Sequence, residues 1–349
     1  MTFFYFFEEK WKKNQYMISR RVVMEELFDK IFYRALQKNA TDIHFILRDV
    51  LLIKIRVLGR LIHYDKLNYK EGERLLNYLK YKASINTNYR LLPQTGQFVI
   101  NMENRDYYLR VSSLPTVDFD SIVIRILNNH EELSIDELTP IPHITSFLYQ
   151  LTQKTSGLFL ISGATGSGKS TTLYTLLDEM MKDGTKNIIT IEDPIEIKKD
   201  KCLQIELNEK LGITYHDTLR QILRHDPDII MIGEIRDQDT AQIALTCALT
   251  GHLVLTTIHA SNAYLALKRL ENLGIHTMDL KDVVVGSLSQ RIKYDFENKK
   301  VIILAELMTS KDIENAFDNP QYHYLTFKEN ALSLIKKGYK KIIFKEDIL

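Results

Sequence analysis

The residues with the clearest chemistry are Gly163-Ala164-Thr165-Gly166-Ser167-Gly168-Lys169-Ser170, with Thr171 directly behind them. Glycines at 163, 166 and 168 let backbone N–H groups turn inward together, and a lysine and a hydroxyl follow at once. An apolar run, Leu158-Phe159-Leu160-Ile161, enters the stretch as a buried strand does, and Leu173, Leu176, Leu177 and Met180 leave it at helical spacing. Strand, loop and helix in that order make a phosphate cradle, with loop amides and the positive helix N-terminus facing a triphosphate. Lys169 is then placed to reach the β- and γ-phosphates, and the Ser170 hydroxyl to bind Mg2+. A glycine-rich turn joining a core strand to a core helix is the plainer alternative.

Three more apolar runs end in polar groups. Residues 187–191 lead into Glu192-Asp193-Pro194, residues 228–232 into Gly233-Glu234, and residues 253–258 into His259. Near-continuous apolar strands separated by helices imply a parallel sheet covered on both faces, with ligands at the carboxyl ends of its strands. Removing a γ-phosphate needs a metal ion, an oriented water and positive charge where the transition state spreads its own negative charge. Glu192 and Glu234 are the candidates for water and metal, although a carboxylate at a strand end can equally cap the next helix. His259 stands where a γ-phosphate can be sensed. His252, before the same strand, reads as well as a hydrogen-bonded core histidine, and Arg236 is a further candidate beside Glu234.

These elements sit within a longer chain. Leu27, Phe28, Ile31, Phe32, Ala35 and Leu36 recur at helical spacing, and strands are expected over 42–47, 51–57, 96–100, 107–114 and 121–127, with a helix over 70–82. Residues 24–128 therefore predict an α+β domain, and the polar stretch 129–145, with Pro140 and Pro142, predicts a linker. Residues 146–288 form the α/β core, with helices over 263–273 and 282–288. Residues 289–349 are expected to be a helical C-terminal region, and residues 1–23 an extension of no assigned structure.

Composition sets limits. Lys plus Arg number 46 against 45 Asp plus Glu, which speaks against a surface built to neutralise a long run of nucleic-acid phosphates. The two cysteines, Cys202 and Cys247, lack zinc-ligand spacing and read as free thiols of a reducing compartment. The opening Phe3-Phe4-Tyr5-Phe6-Phe7 is too short and too soon followed by Glu8-Glu9 for a signal peptide, and Met17 or Met24 is an alternative start. No apolar run approaches the ~20 residues that span a bilayer, so any membrane association is expected to be peripheral. Lys336, Lys337, Lys340, Lys341 and Lys345 make a basic end that suits a solvated helix face better than an anionic membrane.

Four stretches occur in order: 163–170; Ile191-Glu192-Asp193-Pro194-Ile195-Glu196; Leu223-Arg224-His225-Asp226-Pro227-Asp228 through Gly233-Glu234-Ile235-Arg236-Asp237; and Thr250-Gly251-His252-Leu253 through Thr257-Ile258-His259-Ala260. They resemble the Walker A, Asp, Walker B and His boxes of the secretion ATPase superfamily, the motors of type II secretion and type IV pilus systems. The likeness extends upstream through Ala40-Thr41-Asp42-Ile43-His44 and Leu109-Arg110-Val111-Ser112, and downstream to Gln290-Arg291. It implies a PAS-like N-terminal domain, a RecA-like P-loop core and a ring of six chains. By position it gives Glu192 the polarising of the attacking water, Glu234 the Mg2+, and His259 a phosphate contact. Arg110 and Arg125 match the arginines that reach the γ-phosphate.

Phe119-Asp120 stands where the family usually has Gly-Glu, and Gln94-Thr95-Gly96-Gln97 lacks its usual Asp and Arg. The compact, zinc-free form is similar to the competence-pseudopilus ATPases of Gram-positive bacteria. Implied with it are ATP and Mg2+ without zinc, and a cytoplasmic place on the inner face of the membrane. A polytopic platform protein, and through it pilin-like subunits, are the implied partners, with no direct nucleic-acid contact. A retraction or type II secretion motor, and more remotely a nucleic-acid translocase, are the alternatives.

Overall fold

In the computed structural model the described residues are 23–348, except 58, 89–90, 117, 128–132, 208–212, 296–299 and 320. Expectations for residues 1–22, and for the opening of the polar link at 128–132, lie outside the described residues. The chain divides into one unit ending at Asn129 and a second beginning at His130.

The first unit runs α1 (residues 23–36), β1 (Ala40–Leu47), β2 (Val50–Val57), β3 (Arg60–Asn68), α2 (Tyr69–Lys82), β4 (Gln94–Met102), β5 (Arg105–Ser113) and β6 (Asp120–Leu127). Its strands form an antiparallel sheet in the order β3-β2-β1-β6-β5-β4. Alternate residues such as Ile43, Phe45, Ile53, Ile55, Leu109 and Ile124 pack with Phe28 and Phe32 of α1 and Leu75, Leu76 and Leu79 of α2 in a single core. Gly96 has a steric reason to be glycine, since a Cβ there would lie 1.8 Å from the Ala83 carbonyl oxygen. Phe119 closes its turn by donating its N–H to Thr116 Oγ1 (3.1 Å), and the Arg48 guanidinium covers its ring at 4.8 Å. Strand β3 was not expected; it is an edge strand, mostly exposed, so little of it had to be apolar.

The second unit begins with α3 (Ile135–Leu138), α4 (Pro142–Thr152), β7 (Gly157–Ser162), α5 (Lys169–Met180), β8 (Ile188–Glu192), β9 (Leu203–Glu206), α6 (Tyr215–Ile222) and β10 (Ile229–Ile232). It continues with α7 (Gln238–Leu249), β11 (Leu253–Ile258), α8 (Ala263–Asn272), α9 (Thr277–Val283), β12 (Val284–Asp295), β13 (Lys300–Thr309), α10 (Ser310–Asp318), α11 (Phe327–Lys336) and α12 (Lys345–Ile348). The sheet order is β13-β12-β7-β11-β10-β8-β9, parallel throughout except for the β12–β13 pair. This is an α/β fold on a mixed, mostly parallel sheet.

Both faces are covered, as continuous apolar strands require. Phe159, Ile161, Met231 and Leu255 pack on one side with α4, α5 and α11, while Leu158, Leu160, Ile230 and Val254 pack on the other with α7, α8 and α10. Two expectations are corrected. The stretch 129–145 is not merely a link, because α3 and the start of α4 bury Ile135, Leu138, Ile141 and Ile144 against the core. The helix expected over 282–288 ends at Val283, and the supposedly helical region after 289 opens with β12 and β13, which extend the sheet past β7.

Candidate active site

Four carboxyl ends lie side by side. In register, Ser162 of β7 pairs with Ile258 of β11, Thr256 of β11 with Ile232 of β10, and Ile232 with Ile191 of β8. The groups that follow these residues therefore share one edge of the sheet, where doubly covered parallel sheets bind ligands.

The loop after β7 wraps the start of α5. Gly163, Gly166 and Gly168 have φ of 146°, 77° and 88°, a region that favours glycine, and a Cβ on Gly163 would lie 2.5 Å from both Ser167 Oγ and the Gln290 carbonyl oxygen. Gln290 of β12 is wholly buried and fixes the loop: its Nε2 donates to Ser167 O at 2.9 Å, and its Oε1 accepts from Thr172 Oγ1 at 3.0 Å. Ala164, Thr165 and Gly166 are exposed at the crest, Ser170 and Thr171 are half-buried, and the buried Ser167 hydroxyl has no hydrogen-bond partner among the described residues. A cavity of about 370 Å3 opens between residues 163–167 of the loop and Ser261, Arg291 and Lys293.

Lys169 Nζ donates to the carbonyl oxygens of Gly163 (3.0 Å) and Ala164 (3.1 Å). Burial pulls its pKa below the ordinary lysine value, while the charges of Glu234 and Glu196 push it back up. Glu234 is held by two side chains: Arg236 Nε donates to its Oε2 at 2.9 Å, and His259 Nε2 stands 3.1 Å from its Oε1. Arg236 also pairs with Asp193 at 3.2 Å. The backbone around Glu234 is tied to both neighbouring strands, through Gly233 N to Ile191 O and Thr257 Oγ1 to Gly233 O.

Glu192 lies at the end of β8 and is enclosed by protein donors. It is 4% exposed, its Oε2 accepts from the Tyr174 hydroxyl, and its Oε1 accepts from Thr190 Oγ1 (2.7 Å) and Gln204 Nε2 (3.1 Å). Burial raises its pKa and these hydrogen bonds oppose the rise. Three side chains of the protein thus donate to this one carboxylate.

A family model described as Type II/IV secretion system protein matches residues 19–322. The chain belongs to that family. The competence protein ComGA of Bacillus subtilis (strain 168) is 37% identical over 270 residues, covering 77% of this chain and 76% of that protein. Type II secretion system protein E of Pseudomonas aeruginosa is 36% identical over 268 residues, 76% of this chain and 53% of that protein. Among solved structures, the Legionella pneumophila ATPase DotB aligns with a TM-score of 0.76 at 22% identity, covering 92% of this chain and 95% of DotB, a likeness of fold.

In this member of the family, Glu196 is the residue that sequence reasoning passed over. It lies at the far end of the same box as Glu192, is exposed, and acts electrostatically on Lys169. The available signal was two glutamates four positions apart, of which a strand end can bury the first and leave the second free. His252 is not brought to the site. It precedes β11 whereas His259 follows it, and its Nδ1 donates to the Cys247 carbonyl at 3.0 Å, capping α7.

In the first unit, Arg110 and Arg125 are direct cross-strand partners on β5 and β6. The row continues through Asp42 to Arg56, with Arg125 Nε 2.9 Å from Asp42 Oδ1 and Arg56 Nε 3.7 Å from its Oδ2. One buried carboxylate between two cations offsets part of the repulsion that adjacent guanidinium groups incur. Arg125 remains 59% exposed at its side chain.

Proposed function

We propose that the chain is a Mg2+-dependent ATPase whose turnover drives assembly of a competence pseudopilus for DNA uptake. The observation that carries this reading is that the phosphate-binding loop, the 192–196 segment, Glu234 and His259 follow adjacent strands at one edge of the sheet, with His259 and Arg236 holding Glu234. The loop amides and Lys169 bind the β- and γ-phosphates, the lysine exchanging its two carbonyl partners for phosphate oxygens. Ser170 and Glu234 offer the hard oxygen donors that suit Mg2+, and both Glu234 oxygens already have side-chain partners, which favours contact through water. When bound, that ion neutralises charge building on the phosphates. Glu196 orients the attacking water and takes its proton, and Glu192 serves as the buried anchor of that loop. His259 reports the γ-phosphate to Glu234.

The first unit is read as the PAS-like module of a six-membered ring that docks on a polytopic membrane protein at the inner face of the membrane. The likeness to ComGA over three quarters of both chains supports the competence reading. The comparable identity to a type II secretion protein E supports secretion as the second reading. Cells lacking this chain and complemented with wild type or Lys169→Ala decide between them. Competence predicts that DNA uptake returns with wild type alone. Intact uptake alongside lost protein export favours secretion.

A further inference from the structure

We propose that Tyr174 is a positioning residue of this site: its hydroxyl locks the 192–197 loop to the helix that carries Lys169 and so sets where Glu196 stands. The proposal rests on the ATPase reading above. Tyr174 lies on α5, whose first turn supplies Lys169 and Ser170, and is 2% exposed. Its hydroxyl donates to Glu192 Oε2 and accepts from the Ile197 N–H at 3.3 Å, so both hydrogen-bonding functions of the phenol are spent on one loop. Gln204 makes the matching ties from β9, donating to Glu192 Oε1 at 3.1 Å and to the Ile197 carbonyl at 2.8 Å.

Ile197 is thereby held by both its N–H and its C=O, with Glu196 next to it and Glu192 below. Between these fixed ends, Asp193 reaches Arg236, which holds Glu234. One rigid helix thus sets the ammonium that binds phosphate and the loop that carries the water-orienting carboxylate. Burial and the Glu192 charge both push the phenol pKa far above its ordinary value, so the group remains a donor throughout the physiological range. A tyrosine kept only to fill the core would need one partner for its hydroxyl, not two on the same catalytic loop.

Tyr174→Phe in the full-length chain tests this, with kcat, KM for ATP and the affinity for a fluorescent ADP analogue measured together. Displacing a reacting group by a fraction of an ångström costs much of the rate, so kcat is expected to fall by about tenfold or more while nucleotide affinity stays within about twofold. Gln204→Leu, which cuts the loop's ties from the opposite side, is expected to show the same split. Combining Tyr174→Phe with Glu192→Gln is expected to be no slower than the slower single variant, because both break one linkage. A Tyr174→Phe kcat within about twofold of wild type overturns the proposal, as does a loss of affinity that accounts for the whole loss of rate. A wild-type chain that binds nucleotide without turnover overturns the ATPase reading itself.

Discussion

At the scale of single residues the decisive pairing is Lys169 with the two carboxylates, Glu196 and Glu234, that act on it. Lys169→Ala removes charge-assisted bonds to phosphate worth about 1.5–3 kcal/mol each, so nucleotide affinity is expected to fall by at least about tenfold in a fluorescence titration. Glu196→Gln should leave affinity near wild type and lower kcat by about 100-fold, the scale of a lost general base. Glu192→Gln is expected to lower the melting temperature as well, since it disturbs a buried cluster of donors from Tyr174, Thr190 and Gln204. The sequence announced the loop, Glu234 and His259 because strand ends with polar tips are readable one residue at a time. It did not show that Glu192 is buried while Glu196 is exposed. That distinction depends on Tyr174, which lies far off in the chain and was hidden among ordinary helical apolar positions.

At the scale of elements, the loop is steadied from behind by β12 rather than by its own helix alone. Gln290→Ala removes the partners of Ser167 O and Thr172 Oγ1, two buried groups whose loss costs about 1–3 kcal/mol each. Thermal denaturation should show a lower melting temperature, and nucleotide binding should weaken with it.

Glu306 of β13 plays a comparable part, accepting the N–H groups of Ala263 (2.8 Å) and Phe327 (2.9 Å) at the starts of α8 and α11. Burial raises its pKa above the ordinary glutamate value, opposed by these bonds. A carboxylate raised in the folded state stabilises most below its unfolded pKa and loses that contribution as pH rises through the folded value. The stability advantage of wild type over Glu306→Gln, measured by urea denaturation, should therefore shrink as pH rises above the normal carboxylate range. A constant or growing advantage would contradict the assignment.

The apolar strands β7, β8, β10 and β11 were legible because full burial on two faces leaves an uninterrupted run. Strand β12 was not, since Ser287, Ser289 and Gln290 are buried polar residues; the Ser287 hydroxyl donates to Ala263 O, and Gln290 ties Ser167 and Thr172. Helix α3 and the start of α4 were read as a linker because Pro140 and Pro142 resemble loop punctuation, although Pro142 occupies the first turn of α4, where the missing N–H costs nothing.

At the scale of the whole molecule, a family model over residues 19–322 sets the class of protein, and the likeness to the ATPase DotB is one of fold. Among the described residues no helix is long and apolar enough to cross a membrane. Assembly is expected to depend on nucleotide: with a slowly hydrolysed ATP analogue, light scattering should give a particle of six 40.8 kDa chains, and a monomer under all conditions would contradict the ring. Phosphate release from ATP by the purified chain, in the presence and absence of Mg2+, tests the central claim most directly. Mg2+-dependent release is expected, abolished by Lys169→Ala and reduced by about 100-fold by Glu196→Gln. Release unaffected by Lys169→Ala, or none from the assembled wild type, would contradict it.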